Sequence, residues 1–178
     1  QPAKGFRTPM KRKLRLSFLL MLLTAVTLLS RGTPAVAVER IYYLAADELR
    51  WDYAPLGQDH MMGMPFSEAQ DVFVKTTPGL VGKTYTKARY REYTDGTFSH
   101  LKERPAEQEH MGILGPLLRA EVGDTLKVVF RNNGGRPYSI HPHGVFYEKS
   151  SEGAIYNDGT EGANKADDRV PPGGTYTY

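Results

Sequence analysis

The chain has 178 residues, enough for one ordinary domain with a hydrophobic core and too few for two. Seven of its 23 Lys and Arg residues precede Glu39, the first acidic residue, so the rest carries 16 basic and 20 acidic residues, a net charge of about −4. This balance argues against nucleic-acid binding by a positive surface. The chain has no cysteine, so by itself it can form neither a disulfide nor the thiolate ligand of a blue-copper site.

Residues 1–37 are predicted to be a leader and secretory signal peptide. Residues 10–15 are basic, residues 16–29 are apolar, and small residues at 35–37 are typical of a cleavage site. The apolar run is short for a membrane span. We therefore expect a secreted protein, or the ectodomain of a membrane-anchored one, whose domain occupies residues 38–178.

The first half of the domain predicts two strands, Val38–Leu44 and Thr84–Tyr93, with a turn at Thr76–Gly79 between them. Residues 57–65 hold three methionines and His60, and this loop is interpreted as an adaptable surface rather than as a set of copper ligands. His100 and His110 flank a charged stretch without an apolar period, which indicates a solvated loop.

The second half predicts strands at Leu117–Glu121 and Asp124–Arg131. In the latter, apolar side chains alternate with polar ones and fall on one face, as in a sheet with one packed side: Leu126, Val128 and Phe130. Residues 132–135, Asn-Asn-Gly-Gly, tolerate positive φ and predict a turn. A further strand is predicted at Tyr138–Val145.

The predicted fold is all-β, a sandwich or barrel. Short strands, frequent Gly/Pro turns and the lack of a convincing amphipathic helix after the signal indicate this class. A long polar loop, 148–168, precedes a last strand at Thr175–Tyr178. Because the chain ends inside that strand, we expect it to be a fragment whose sandwich is incomplete at the C-terminus.

His141 and His143 are the most informative residues. In a strand, residues two apart project from one face, with Cα atoms about 6.6 Å apart. That separation is wide for one metal and suits two metals about 3.5–4 Å apart, one on each imidazole. Pro142 has no N–H for a sheet ladder and favours an edge or bulged strand. A purely structural or solvated histidine pair stays open at this point.

A second constellation consists of oxygen-bearing side chains in the polar loop. Two adjacent carboxylates, Asp167 and Asp168, and the amide of Asn164 are hard ligands suited to Ca²⁺. The alternative is a solvated acidic loop.

Several motifs together resemble the first cupredoxin (plastocyanin-like) domain of the ceruloplasmin and hephaestin multicopper ferroxidases, nearest to hephaestin-like members. The similarity begins near Val38 and covers the rest of the chain. As an ordered set the motifs are highly specific: Gly112–Pro116, Ala120–Asp124, Arg136–Tyr138, His141–Gly144, Ser151–Tyr156, Ala166–Asp168 and Pro171–Gly174.

This resemblance implies a cupredoxin-like Greek-key fold and an oxidase, with a role in iron transport, that takes electrons from Fe(II) and reduces O₂ to water. The trinuclear copper cluster of the family is built from His-x-His pairs of the first and last domains. By resemblance, His141 is a ligand of the type 2 copper and His143 a ligand of the type 3 pair. The partner is then the C-terminal cupredoxin domain of the same full-length protein, and the fragment alone is expected to be inactive.

The resemblance also implies two further cations. The family's calcium site corresponds to the side chains of Asn164, Asp167 and Asp168 and the backbone carbonyl of Lys149; the family usually has Gln at position 164. A possible sodium site corresponds to the carbonyls of Phe73, Gly82 and Tyr85; the family usually has Tyr at position 73.

Two other classes of protein stay open. Coagulation-factor A domains share the scaffold and act as non-enzymatic protein-binding cofactors, although retention of both histidines argues against them. A cupin-type metal-binding barrel is the other, because Gly135, His141, His143 and Glu148 match the first cupin motif. A cupin needs a third histidine downstream, which this sequence lacks.

Overall fold

A long strand, β1 (Glu39–Asp52), organises the computed structural model, which describes residues 36–178. The other strands of the described region are β2 (Thr76–Thr77), β3 (Leu80–Val81), β4 (Thr84–Tyr93), β5 (Thr125–Asn132) and β6 (Thr175–Thr177). Helical structure there comprises α1 (Glu68–Val74) and three 3₁₀ helices, Ala106–Met111, Lys149–Ser151 and Gly162–Lys165. The residues Ala37–Tyr178 form one compact unit.

β1 is long because it pairs with different strands along its length. Its residues 39–46 run parallel to β5, and its residues 43–52 run antiparallel to β4. β6 adds to β5, so the sheet has the order β4-β1-β5-β6, while β2 and β3 form a separate hairpin. Only residues 43–46 of β1 pair with a strand on each side, and Leu44, Ala45 and Ala46 are buried there.

The core lies on one face of this sheet. Phe130 is completely buried among Leu44, Ala46, Val128 and Val170. The predicted alternation in β5 is confirmed, since Val128 and Phe130 are buried and Lys127 is not. Partly buried tyrosines pack around this cluster and extend it toward the loops: Tyr42, Tyr90, Tyr138, Tyr176 and Tyr178.

The β-rich class is confirmed, and so are most predicted strands. β4 has the predicted bounds, β5 and β6 agree to within one residue, and β1 continues eight residues past the predicted end at Leu44. One short helix was not expected. α1 begins after Ser67, whose hydroxyl caps the N–H of Gln70 while the Gln70 side chain accepts from the N–H of Ser67, a capping box that the sequence does contain.

The strand predicted at Leu117–Glu121 is wrong. The segment is irregular in the structure, and a tyrosine takes the place of a neighbouring strand. The hydroxyl of Tyr42 donates to the carbonyl of Arg119 at 2.8 Å and accepts from its N–H at 3.0 Å. The backbone N–H and carbonyl of Arg119 are therefore satisfied by a side chain rather than by a strand ladder.

The predicted histidine strand (138–145) is also wrong, because the segment is an extended loop. Tyr138 forms a single antiparallel bridge with Val170. Beyond it, Pro142 has no N–H, and the N–H of Ile140 donates to a tyrosine hydroxyl rather than to a strand. In the preceding segment, where a turn was predicted at residues 132–135, the glycines at 134 and 135 do not adopt positive φ.

The predicted leader lies outside the described residues, apart from its last two. Within residues 36–178, no helix is both long and apolar enough to cross a membrane.

The beginnings of β1 and β5 are joined by one carboxylate. Asp124 accepts hydrogen bonds from the N–H groups of Val38 (3.0 Å) and Glu121 (2.9 Å) and from the guanidinium of Arg40. The backbone hydrogen bond from Glu121, followed by the Arg40 interaction, lowers the pKa of Asp124 from 3.8 to about 2. The ionised carboxylate therefore stabilises the parallel pairing of the two strands.

We predict that Asp124→Asn lowers the urea midpoint of unfolding at neutral pH. Because the folded pKa lies below the unfolded one, the contribution is complete above about pH 4 and is lost as the pH falls through about 2. The difference in midpoint between the original protein and the variant should therefore vanish across that interval. Glu109→Gln, at an exposed carboxylate, is the control; a pH-independent difference for Asp124→Asn would contradict the prediction.

Candidate metal centre

The two imidazoles of the His-x-His pair lie side by side. The ring centroids of His141 and His143 are 4.7 Å apart, the rings are nearly perpendicular at 83°, and both residues are exposed. The ring of Tyr147 lies 6.2 Å from that of His141. The rings therefore share one surface even though the segment is not a strand.

One nitrogen of His141 is already engaged. Its Nδ1 lies 2.6 Å from the backbone carbonyl oxygen of Glu152. A carbonyl can only accept, so Nδ1 must carry the hydrogen, and the lone pair of the neutral ring is then on Nε2. Such a contact is how proteins orient a metal-binding imidazole. No sequence signal marks this partner, because every residue has a carbonyl.

Tyrosine hydroxyls attach this region to the core. Tyr90 donates to the carbonyl of Ser139 at 2.6 Å, Tyr176 to that of Ser150 at 2.6 Å, and Tyr178 to that of Asp167 at 2.7 Å. Burial raises the pKa of all three phenols, which keeps each hydroxyl protonated as a donor. The histidine loop and the acidic loop are thus fixed to the same aromatic cluster.

Gly153 lies where the two loops meet. Its N–H donates to Asp167 Oδ2 at 2.7 Å, and its carbonyl accepts from the hydroxyl of Ser139 at 2.7 Å. A Cβ atom at this position would be 1.9 Å from the carbonyl oxygen of Ile140, and φ is +65°. Only glycine fits this approach, which brings the carbonyl of the preceding residue, Glu152, to His141.

The acidic pair of the polar loop is buried with unsatisfied oxygens. Asp167 is 0% exposed and Asp168 is 3% exposed. Oδ1 of Asp167 and both carboxylate oxygens of Asp168 have no hydrogen-bond partner in the described part of the chain, although Oδ2 of Asp168 lies 3.2 Å from Lys165 Nζ. Buried carboxylate oxygens are costly unless they are paired or coordinate a cation, so this donor set fits a metal ion.

Two lysines neutralise part of this charge through a carboxylate that sequence analysis missed, Asp158. Lys149 Nζ lies 2.6 Å from its Oδ2 and Lys165 Nζ lies 2.9 Å from its Oδ1, while Lys165 is also 3.2 Å from Asp168. The hydrogen bond with Lys149 lowers the pKa of Asp158, and the same carboxylate raises the pKa of both lysines. No sequence signal distinguishes Asp158, because the turn Asn157-Asp158-Gly159 has an ordinary loop composition.

The remaining calcium candidates are less constrained. Asn164 is exposed, and the backbone carbonyl of Lys149 accepts only a long bond, 3.3 Å, from the N–H of Glu152. The cluster around Asp158 contains two lysines and four carboxylates: Lys149, Lys165, Glu152, Asp158, Asp167 and Asp168. The excess of two negative charges equals the charge of one divalent cation.

The three residues proposed for sodium line one shallow pocket. Phe73 at the end of α1, Gly82 and Tyr85 all lie around it. The Tyr85 hydroxyl donates to the Gly82 carbonyl at 2.7 Å, which leaves that oxygen one lone pair. The structure brings these residues into one neighbourhood.

The other histidines stay apart from the pair. The Nδ1 of His110 lies 2.8 Å from the carbonyl of Glu107, and both His60 and His100 are exposed in loops. Across residues 36–178, no three His, Asp or Glu side chains are arranged to hold a metal by themselves. A complete metal centre therefore needs backbone or amide oxygens, or ligands from another polypeptide segment.

Comparison with known proteins places this geometry in context. Residues 93–178 match a family model described as multicopper oxidase. The chain is 49% identical over 144 residues to "Ferroxidase HEPHL1" of Mus musculus and 44% identical over 147 residues to "Hephaestin" of Rattus norvegicus. It is also 44% identical over 140 residues to "Venom prothrombin activator omicarin-C non-catalytic subunit" of Oxyuranus microlepidotus.

These matches cover 80%, 82% and 79% of this chain, respectively. They cover only 12%, 12% and 9% of the three relatives, so the chain spans about an eighth or less of the length of the curated relatives it matches.

We predict that Gly153→Ala destabilises the domain more than Gly159→Ala does. Both glycines have positive φ, but only Gly153 has backbone atoms where the new methyl would lie. The control should lose about 1–2 kcal/mol of unfolding free energy from backbone strain, and Gly153→Ala about 1–3 kcal/mol more from overpacking. Urea titration measures both; equal losses would show that the close approach is not constrained.

Proposed function

This chain belongs to the multicopper oxidase family and has a cupredoxin-like β fold, and on that premise we propose that it is a copper-binding domain of a ferroxidase. In this proposal the full-length protein oxidises Fe(II) and reduces O₂ to water. The domain supplies His141 to a type 2 copper and His143 to the type 3 pair of an interdomain trinuclear cluster.

The observation that carries the proposal is the orientation of the His141 ring. Its Nδ1–H is held by the carbonyl of Glu152, which leaves Nε2 available to a metal. The His143 ring, 4.7 Å away, presents a second imidazole with no hydrogen bond from either nitrogen within the described residues. Two adjacent and exposed imidazoles fit the chemistry of copper coordination.

The same surface supports the proposal that another domain completes the cluster. Next to the histidines, Val145 is 50% exposed, Phe146 is fully exposed and Tyr147 is 44% exposed. Adjacent apolar residues of this kind are typical of a surface that a partner covers. The ligands still missing from the cluster would come from the C-terminal cupredoxin domain of the same protein.

Each group of the domain has a simple role in this mechanism. Bound copper would supply one-electron chemistry, in which four Fe(II) become Fe(III) while O₂ and four protons become two water molecules. The Glu152 carbonyl keeps the hydrogen of His141 on Nδ1, so the ring remains a ligand rather than a proton donor at Nε2. Gly153 and Ser139 hold the loop that presents that carbonyl.

A non-enzymatic cofactor domain is the second candidate. It is favoured by the venom activator subunit, whose printed name says non-catalytic and whose identity of 44% equals that of hephaestin. Overall identity therefore does not separate the two functions, and the discriminating feature is the oriented histidine pair. The cupin alternative loses its support with family membership; the N–H of Gly135, part of its motif, donates to Glu48.

A calcium ion is proposed at the buried acidic pair. Asp167 and Asp168 would be its ligands, because their unsatisfied oxygens need a cation, with the amide of Asn164 and the carbonyl of Lys149 completing the site. A sodium ion at the carbonyls of Phe73, Gly82 and Tyr85 stays a prediction. Secretion, or attachment as an ectodomain, is proposed from the predicted leader.

We predict that His141→Ala and His143→Ala together reduce Fe(II) oxidation by the full-length protein at least about 100-fold, with loss of copper, because two cluster ligands disappear. His110→Ala is a matched control, since this exposed ring also contacts a backbone carbonyl through Nδ1. Iron oxidation rate and copper content are measured together. Full copper occupancy with unchanged turnover in the double variant would contradict the role proposed for the histidine pair, whereas a copper-free original protein without turnover would support the cofactor-domain candidate.

Calcium removal should lower thermal stability. We expect a chelator to lower the melting temperature of the protein, calcium to restore it, and Asp167→Asn with Asp168→Asn to abolish the response, because the buried carboxylates lose their counter-charge. Glu161→Gln, at an exposed acid of the same loop, should respond like the original protein. A melting temperature that is insensitive to calcium would indicate that the lysines alone balance the loop.

A further inference from the structure

A cleft of about 320 Å³ runs along the edge strand β4, far in sequence from the histidine pair. Residues 101–119 close it on the other side, and its lining is rich in arginine. No copper or calcium candidate lines it. The cleft is at the small end of the size range of ligand pockets, which suits a compact molecule.

Arg89 is an arginine of this cleft that has neither an ion-pair partner nor a hydrogen bond to its Nε among the described residues. Its Nε is buried without a hydrogen-bond partner, and its guanidinium forms no ion pair with any described residue. The register of β1 and β4 puts Asp47 directly across from it. A cross-strand carboxylate would ordinarily neutralise such an arginine.

Asp47 is not available, because three other donors occupy it. Arg91 donates to its Oδ2 at 2.6 Å and Tyr93 at 2.9 Å, while Asn133 donates to Oδ1 at 2.7 Å. The acid across the strand pair is thus engaged by three donors inside the structure. Arg89 lines the cleft without an ion-pair partner among the described residues.

The rest of the lining adds positive charge. Arg104 donates to the backbone carbonyls of residues 112, 114 and 115. These carbonyls are uncharged, so they do not neutralise the positive charge of Arg104. Arg119 is exposed and forms no ion pair among the described residues, and Lys102 is paired with Glu92. Three unpaired arginines therefore face one unpaired acid of the lining, the exposed Glu103.

This arrangement is unfavourable without a counter-ion. Burial, and then the neighbouring charges of Arg104 and Arg91, lower the pKa of Arg89 from its usual value. A partly buried guanidinium cannot escape by deprotonation at physiological pH, because arginine stays charged in proteins. An anion bound in the cleft would reduce this repulsion between the arginines.

We propose that this cleft binds a small oxyanion, a phosphate or carboxylate group, on the guanidinium of Arg89. The planar fork of arginine pairs with two oxygens of such a group, which accounts for the class of ligand. Arg104 and Arg119 supply the surrounding positive field, which favours anions over cations and neutral molecules. This site is independent of the copper and calcium chemistry proposed above.

The test is isothermal titration of inorganic phosphate, and separately of acetate, into the full-length protein at low ionic strength. We expect saturable binding of at least one of the two anions, weakened about tenfold or more by Arg89→Gln because a charge-assisted hydrogen-bond pair is lost. Lys87→Gln removes the same charge two residues away on β4, outside the cleft lining, and should change affinity less than about twofold. Unchanged unfolding midpoints confirm that both variants fold.

A chemical measurement on the unmutated protein keeps the proposal falsifiable if Arg89→Gln does not fold. Phenylglyoxal, which modifies accessible guanidinium groups, should label Arg89 in anion-free buffer, and the anion that binds should protect it, as read by peptide mass spectrometry. Absence of binding by both anions would overturn the proposal, as would equal weakening by both variants. Protection of Arg89 without added anion would also overturn it, because another part of the polypeptide would then fill the cleft.

Discussion

The candidate metal loops depend on tyrosine hydroxyls that reach from the hydrophobic core to loop carbonyls. Tyr90, Tyr176 and Tyr178 each pack an aromatic ring against the cluster around Phe130 and end on a backbone oxygen of the histidine loop or of the loops that follow it. A phenol suits this position because its ring contributes apolar area and its hydroxyl contributes a directional bond. Irregular backbone is thereby held in place without a sheet ladder.

Gly153 then couples the two candidate sites. On one side the residue packs against the carbonyl of Ile140, next to the histidines, and on the other it donates to Asp167. A shift of the acidic pair would therefore move the Glu152 carbonyl that orients His141. If a calcium ion occupies the acidic site, its structural effect extends to the presentation of the copper ligands.

Two regions of this domain contain charge that is not neutralised inside the structure. The excess charge is negative in one region and positive in the other. Around Asp158 and Asp168 the carboxylates exceed the lysines, which suits a cation. Along β4 the unpaired arginines outnumber the unpaired acids, because Asp47 already accepts hydrogen bonds from other donors. This excess of positive charge suits an anion. In both places the excess follows from hydrogen bonds already made inside the structure, so net composition could not have revealed it.

The sequence alone determined the β-rich class, the bounds of β4 and the packed face of β5, because alternation of side chains is a local property of an extended chain. It also determined that His141 and His143 lie close together, since residues two apart in an extended segment cannot separate far. Only the tertiary structure decided that the Glu152 carbonyl orients one ring, that Asp158 joins two lysines, and that Arg89 lacks a partner. Those features are contacts between distant segments through backbone oxygens or competing donors, which no residue type or spacing records.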